Sequence, residues 1–268
     1  MKKIISNVHT HTIFSDGKNT AEENILSAIS LGMDTLGFSD HSYTPCDLSY
    51  CMKADALPAY KTEIDALKEK YRGRLNILCG IEFDYNSDIS AVEGFDYFIG
   101  ASHYVEANGV FYPVDHSPES TSEGINEGFG GNEAAYAKAY FENVVKCAAY
   151  KPLYIAHFDL PVKYGVIDEE NPAYRAAALE ALDAVLELDV PLEVNTGAMA
   201  RGVKTVPYPS DFLIKRILEK NGHLMLGSDC HYKEKLLFAF DEMPALLKAC
   251  GVKSVLTFEN GSLKEKGL

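Results

Sequence analysis

The feature that most constrains this chain is a strand-and-helix alternation in which one strand after another ends on a side chain fit to bind a metal. Apolar runs at Ile4–Val8, Thr35–Ser39, Ile77–Phe83, Tyr97–Ser102, Leu153–Ala156, Pro191–Asn195 and His223–Gly227 read as strands. At or just past their ends stand His9 and His11, Asp40 and His41, Glu82, His103, His157, Glu193 with Asn195, and Asp229 with His231. Between them the spacing predicts helices over about 20–31, 55–71, 132–149, 172–188, 210–220 and 241–250. The first of these opens on a capping-box pattern, Thr20-x-x-Glu23, and the second repeats Leu57, Tyr60, Ile64, Leu67 and Tyr71 at three- and four-residue intervals. Such alternation implies a mostly parallel sheet. In an open sheet, seven strand ends spread along a line too long for one site. In a closed barrel they converge on one face, so the barrel is favoured.

Smaller signals fill in the rest. Asn108-Gly109 marks a hairpin into which the run at 97–102 continues. Residues 115–131, rich in Gly, Ser and Glu, read as a surface excursion, and Ser254–Phe258 as a last apolar run. The chain reads as one domain over residues 1–268, with no internal repeat. A formal net charge of -14 disfavours a nucleic-acid partner, which needs a basic stripe. The six cysteines form no C-x-x-C pair, so free thiols in a reducing compartment are expected. The start, Met1-Lys2-Lys3-Ile4-Ile5-Ser6, has no apolar stretch of signal-peptide length, and no run reaches the ~20 residues of a membrane span. The expected location is cytoplasmic.

Imidazole and carboxylate together suit zinc, iron and manganese. Val8-His9-Thr10-His11 puts two imidazoles on one face of an extended segment, and Asp229-Cys230-His231 puts an acid and an imidazole on one face with Cys230 on the other. Asp16, in Phe14-Ser15-Asp16-Gly17, would alone be a turn residue, and Asp40-His41 alone a satisfied core pair. Glu82 amid apolar neighbours needs a cation or several donors, because a buried lone carboxylate is costly. Nine candidate ligands, His9, His11, Asp16, His41, Glu82, His103, His157, Asp229 and His231, exceed what one metal needs. They fit three divalent ions, with Glu82 as the bridge between two. His223 opens its strand and is read as structural. Arg201, on a strand-end loop, suits a phosphate, with Lys163 a weaker candidate of the same kind. His116 reads either as a solvated loop residue or as a substrate contact.

His9-x-His11, Phe38-Ser39-Asp40-His41, Gly80-Ile81-Glu82, Ser102-His103, His157-Phe158-Asp159-Leu160 and Gly227-Ser228-Asp229-x-His231, in this order across nearly the whole chain, resemble the PHP (polymerase and histidinol phosphatase) family. The stretch Tyr112–Glu119, Glu193–Thr196 and Tyr208-Pro209-Ser210 look like its histidinol-phosphate phosphatase branch. The resemblance implies an α/β fold, a distorted (β/α)7 barrel, with a trinuclear zinc, iron or manganese centre at the C-terminal ends of the strands. It also implies one ion on His9, His11, Glu82 and Asp229, a second on Glu82, His103 and His157, and a third on Asp16, His41 and His231. Asp16 stands where some members carry histidine, and Lys163 where histidinol phosphatases often carry arginine.

The expected activity is metal-dependent hydrolysis of a small phosphate monoester: L-histidinol phosphate to L-histidinol and phosphate, in histidine biosynthesis. A metal-bridging hydroxide would attack phosphorus, with Glu82, His157 and Asp229 as catalytic residues and Arg201, Lys163 and His116 as substrate contacts. The alternatives are a PHP phosphoesterase for nucleotides or short oligonucleotides and a non-catalytic metal-binding PHP module. No membrane partner is expected.

Overall fold

The computed structural model of the protein describes residues 3–268; Met1 and Lys2, the start of the segment weighed as a signal peptide, lie outside the described residues. Its first half lays down β1 (Ser6–Asn7), α1 (Ala21–Ser30), β2 (Thr35–Phe38), α2 (Leu57–Lys70), β3 (Asn76–Asp84) and β4 (Tyr97–Ala101). The four strands pair in parallel in the order β1-β2-β3-β4. Helix α1 begins where the sequence predicts it, with Thr20 and Glu23 closing a reciprocal capping box. Helix α2 buries Tyr60, Ile64 and Leu67 against the sheet.

A hairpin follows, β5 (Tyr104–Ala107) and β6 (Val110–Pro113), then α3 (Pro118–Glu123), α4 (Glu133–Ala148) and α5 (Pro172–Glu187). The second sheet starts at β7 (Leu192–Asn195), crosses by α6 (Gly197–Ala200) and α7 (Asp211–Glu219) to β8 (Leu224–Gly227), and by α8 (Met243–Ala249) to β9 (Ser254–Glu259). Strands β7, β8 and β9 are parallel, and β10 (Ser262–Gly267) lies antiparallel along β9. Single parallel bridges join the two sheets. Ile155 links Gly100, in β4, to Leu192, in β7, and Thr10 links to Cys230 beyond the ends of β1 and β8. The result is a curled parallel sheet, a half-barrel of mixed α/β content, whose strand ends share one mouth.

The interior of the curl explains two motif glycines. Tyr97 lies across the strands inside it, its hydroxyl 2.7 Å from the carbonyl of Val8 and 2.9 Å from that of Phe38. A Cβ on Gly80 would sit 2.3 Å from the Tyr97 ring. A Cβ on Gly227 would sit 1.8 Å from Glu193 Oε1. Each glycine thus makes room for a neighbouring strand's side chain, and any larger residue would push that side chain off its place.

The structure corrects three local expectations and extends a fourth. Residues 115–131 are not a simple surface excursion: Ser117 and Ser120 cap α3 reciprocally, and a π-helical turn continues over Gly124–Gly128. Thr121 and Ile125 are buried there, and Gly124 packs against Tyr112 and Tyr136. Self-capping serines and close-packed glycines substitute for the apolar content that a sequence reading looks for. The hairpin turns at Asn108-Gly109 as expected, but the run at 97–102 does not continue into it, because the strand is interrupted at Ser102-His103 before β5. The strand expected at 153–156 shrinks to the single paired residue Ile155. The last apolar run gains a partner, β10, through a turn whose signal was Asn260-Gly261, both with positive φ (52° and 70°). All six cysteines are free. Among the described residues no helix is long and apolar enough to cross a membrane.

Candidate metal centre

Each ligand-type side chain is aimed by a hydrogen bond that its own segment dictates. The backbone past β1 alternates, so His9 and His11 face inward, and the N–H of the intervening Thr10 is held by Ser39 Oγ at 3.1 Å. The loop after His11 is pinned by Asp40. Its carboxylate accepts from Thr12 N–H (2.8 Å), Thr12 Oγ1 (2.9 Å), Ser15 N–H (3.1 Å) and Ser15 Oγ (2.6 Å). Asp40 therefore fixes the loop that carries Asp16 and offers no ligand atom. His157 and Asp229 occupy left-handed backbone, φ 28° and 47°, a conformation that non-glycine residues adopt at a cost of about 1 kcal/mol or more and that clusters at functional sites.

Nine side chains meet at the mouth. Around Glu82 Oε2 stand His9 Nε2 at 3.4 Å, His11 Nε2 at 3.6 Å and His41 Nδ1 at 2.8 Å. Asp229 Oδ1 closes this group, 3.7 Å from His9 Nε2 and 3.2 Å from His11 Nε2. Around Glu82 Oε1 stand His157 Nε2 at 3.1 Å and His103 Nε2 at 3.6 Å. Asp16 gathers the rest: its Oδ2 is 3.1 Å from His231 Nε2, and its Oδ1 is 3.7 Å from His41 Nε2 and 3.9 Å from His11 Nδ1. His11 thus turns one nitrogen to each of two groups. The family resemblance places His41 with the Asp16 group; its other nitrogen also reaches Glu82.

Two carboxylates outside the nine candidate ligands stand behind the imidazoles. Glu193 Oε1 lies 2.7 Å from His9 Nδ1, while its Oε2 accepts the backbone N–H of His157 at 3.1 Å and the Asn195 amide at 2.8 Å. Asp84 Oδ2 accepts His103 N–H at 2.9 Å and lies 3.0 Å from His103 Nδ1. Such partners fix which imidazole nitrogen faces the centre. Glu193 had a visible signal, a strand-end acid two residues before Asn195; Asp84 had only its place two residues after Glu82. Substituting Glu193 by glutamine is expected to weaken metal binding about 10- to 100-fold without unfolding the chain. Calorimetric metal titration beside a circular-dichroism melt checks this, and unchanged affinity would remove Glu193 from the centre's support.

Electrostatics mark the group as built for cations. Burial pushes the Glu82 carboxyl up, but His41, His9 and His157 outweigh it and hold it well below the usual range. Burial likewise opposes ionisation of Asp229, yet Arg201 and His9 keep it well below its ordinary value. Burial together with the neighbouring His231 and His41 drives His11 down to about 3. Burial depresses His41, but Glu82 and Asp16 prevail and raise it to about 9. His9 Nε2, both ring nitrogens of His11, Asp16 Oδ1, His41 Nδ1 and Glu82 Oε2 are buried, and among the described residues none has a partner in hydrogen-bonding geometry, even where the separation is as short as 2.8 Å. Polar atoms so enclosed are rarely left unmatched, and here they face one another across ligand-to-ligand distances. Among the described residues three sets lie close enough to share an ion: His11, Asp16, His41 and His231; His9, His11 and Glu82; His41, Glu82 and His103. The mixed N and O donors fit a borderline divalent metal.

A cavity of about 380 Å³ opens onto this cluster. Arg201, Lys163 and His116 all line it. Arg201 donates to Asp229 Oδ2 at 3.0 Å. Lys163 is buried and paired with Asp115 at 2.9 Å. His116 stands at the exposed lip, its Nε2 3.1 Å from the Tyr104 hydroxyl, which in turn donates to Asp47. The lining also includes Lys18, Tyr50, Asp115, Tyr164 and Tyr232, none of which the sequence reading selected. Tyr50 packs edge-on against His41, with ring centres 4.8 Å apart. Cys230 points away from the cluster into the apolar core, and His223 is exposed at the far end of β8.

Comparison with known proteins matches residues 7–197 to the PHP domain family. The chain is 30% identical over 266 residues to a protein of Deinococcus radiodurans named probable histidinol-phosphatase, covering 96% of this chain and 97% of the relative. It is 23% identical over 272 residues to the histidinol-phosphatase of Bacillus subtilis, covering 93% of this chain and 100% of the relative. Among solved structures, histidinol phosphate phosphatase from Lactococcus lactis, complexed with zinc, L-histidinol and phosphate, has the same fold (TM-score 0.73, 20% identity, 98% of this chain and 99% of that one).

Proposed function

This chain belongs to the PHP domain family, and on that footing we propose that it is a metal-dependent phosphatase that hydrolyses L-histidinol phosphate to L-histidinol and phosphate, in histidine biosynthesis. The observation that carries the reading is the group of buried, unpartnered nitrogens and oxygens around Glu82 and Asp16, at the floor of a cavity that also holds Lys18, Lys163 and Arg201. Metal ligands below and cations beside them are what a phosphate ester requires. The names and full-length coverage of the relatives support the choice of substrate.

Within this reading the whole chain, 1–268, acts as one PHP-type domain. Its seven parallel segments, β1, β2, β3, β4, the Ile155 segment, β7 and β8, form a distorted (β/α)7 barrel with the site at their C-terminal ends. The bridges at Ile155 and Thr10 support that closure. Three divalent ions, of zinc, iron or manganese, are held by His9, His11, Glu82 and Asp229; by Glu82, His103 and His157; and by Asp16, His41 and His231. When bound, such ions supply Lewis-acid neutralisation of phosphoryl oxygens and lower the pKa of a water. The chain's own residues do the rest. Glu82, His157 and Asp229 organise the reacting centre, Glu193 and Asp84 keep the imidazoles oriented, and Arg201 offers a planar cation to the phosphoryl group. Lys163, tied to Asp115 in the cavity wall, adds a second cationic contact for the phosphoryl group, and His116 meets the leaving group at the lip. The partner is a small phosphate ester, with neither nucleic acid nor membrane involved, and the setting is cytoplasmic.

A substrate panel with manganese added tests the reading. Histidinol phosphate should exceed nucleoside monophosphates and short oligonucleotides in kcat/KM by about a hundredfold or more, since a site built to bind a substrate's polar groups rejects analogues that lack them. Preference for a nucleotide would overturn the substrate, and no turnover of any phosphate ester would overturn the enzyme.

A further inference from the structure

Three cationic side chains besides the imidazoles line the cavity, and they are not equivalent. Arg201 is committed to Asp229 at 3.0 Å. Lys163 is committed to Asp115, by contacts of 2.9 Å to the carboxylate and 3.0 Å to the backbone carbonyl. Lys18 is exposed, and among the described residues no carboxylate pairs with its ammonium group.

Its backbone, by contrast, is anchored. Lys18 N–H donates to the carbonyl of His231 at 2.9 Å. Gly17 before it is packed so tightly that a Cβ would fall 2.6 Å from the backbone of His11 and Thr12. Asp40 holds Ser15 by two hydrogen bonds on the same loop, and Asp16 sits between them in the metal cluster. A fixed base beside the cluster, carrying a flexible stem and an uncompensated charge, is how a protein presents a point cation to an incoming anion.

We propose that Lys18 is a substrate-binding residue: its ammonium meets the non-bridging oxygens of the phosphate ester and supplies positive charge that Arg201 and Lys163 have already shared with Asp229 and Asp115. The proposal rests on the phosphatase reading above and adds to it the residue that sets affinity for the dianionic group.

Lys18→Ala tests it in the full chain loaded with manganese. The expected result is a kcat/KM for histidinol phosphate lower by about 10- to 100-fold, the range of one charge-assisted hydrogen bond, with most of the change in KM. Inorganic phosphate, used as a competitive inhibitor and in direct calorimetric binding, should weaken by the same factor. Bound metal and melting temperature should stay as in the parent, and Lys18→Arg should recover most of the loss. Parent-like KM and phosphate affinity in an active Lys18→Ala variant would overturn the role of Lys18 alone. So would a loss traced to missing metal, since Lys18 would then support the Asp16 loop and not the substrate. A parent protein that binds metal yet hydrolyses no phosphate ester would overturn the phosphatase reading, and the role of Lys18 with it.

Discussion

Replacing Glu82 by glutamine should lower kcat/KM by at least roughly a thousandfold and strip metal from the protein, because several kcal/mol of Lewis-acid stabilisation depend on this one side chain. One oxygen of Glu82 faces His9, His11 and His41, and the other faces His157 and His103. Glutamine keeps the volume but presents one oxygen and one NH2 group, so whichever way it turns, one set of imidazoles meets a donor where it needs an acceptor. Its neutral amide also takes from His41 the carboxylate that most favours its charged form, and from His9 one of the carboxylates that, behind Glu193, do the same. The variant should therefore melt lower than the parent when both are metal-free, since a buried pair broken on one side leaves the other charge uncompensated. Metal analysis, kcat/KM under saturating manganese and a circular-dichroism melt read the three effects separately. Full metal content with activity within tenfold of the parent would show that Glu82 is not shared between sites.

Much of this candidate centre was legible because its ligand-type side chains obey local rules. An H-x-H pair on extended backbone must share a face, and a carboxylate at the end of an apolar strand must find a cation, so His9, His11, Glu82, Asp229 and His231 stand out from spacing alone. Helix starts were legible for the same reason: Thr20 and Glu23 satisfy each other within four residues. What the sequence hid depends on partners far along the chain. Glu193 supports His9 from 184 residues away, and only the parallel β7–β8 pairing and the bare Cα of Gly227 bring it there. The strand-end loop shows Lys163 as a candidate phosphate contact, but its partner Asp115 is invisible until the fold brings them together. Lys18 is silent in the sequence because an exposed lysine in a loop carries no pattern. Its meaning comes from the carboxylates that occupy the other two cations. The segment at 115–131 hides its structure for a different reason, since serine caps and buried glycines build helical structure with few large apolar residues.

Metal binding to the emptied protein should release protons, and its apparent affinity should climb steeply with pH. Burial depresses His9, yet Glu193, Glu82 and Asp229 raise it well above 6.5 in the metal-free protein, and His41 stands at about 9. At pH 7 both carry a proton that a cation must displace, whereas His11, at about 3, is already neutral. Each displaced proton steepens the affinity by about tenfold per pH unit, the gain from His41 ending as pH passes its raised value. The stability of the metal-free protein follows with opposite signs. His41 is raised, so its contribution is fully present below 6.5 and is lost as pH rises from there through about 9. His11 is depressed, so the unfolded chain takes up its proton first, and stability is lost as pH falls below 6.5 toward about 3. The metal-free protein should therefore lose stability from His41 over the same alkaline interval in which metal binds ever more tightly, and the gap in melting temperature between loaded and metal-free forms should widen between pH 6 and pH 9. Calorimetric metal titration in buffers of different ionisation enthalpy counts the protons directly. An affinity that stays flat between pH 6 and pH 9, with no protons released, would mean that His9 and His41 do not hold metal, and that the charges gathered around Glu82 serve the fold alone.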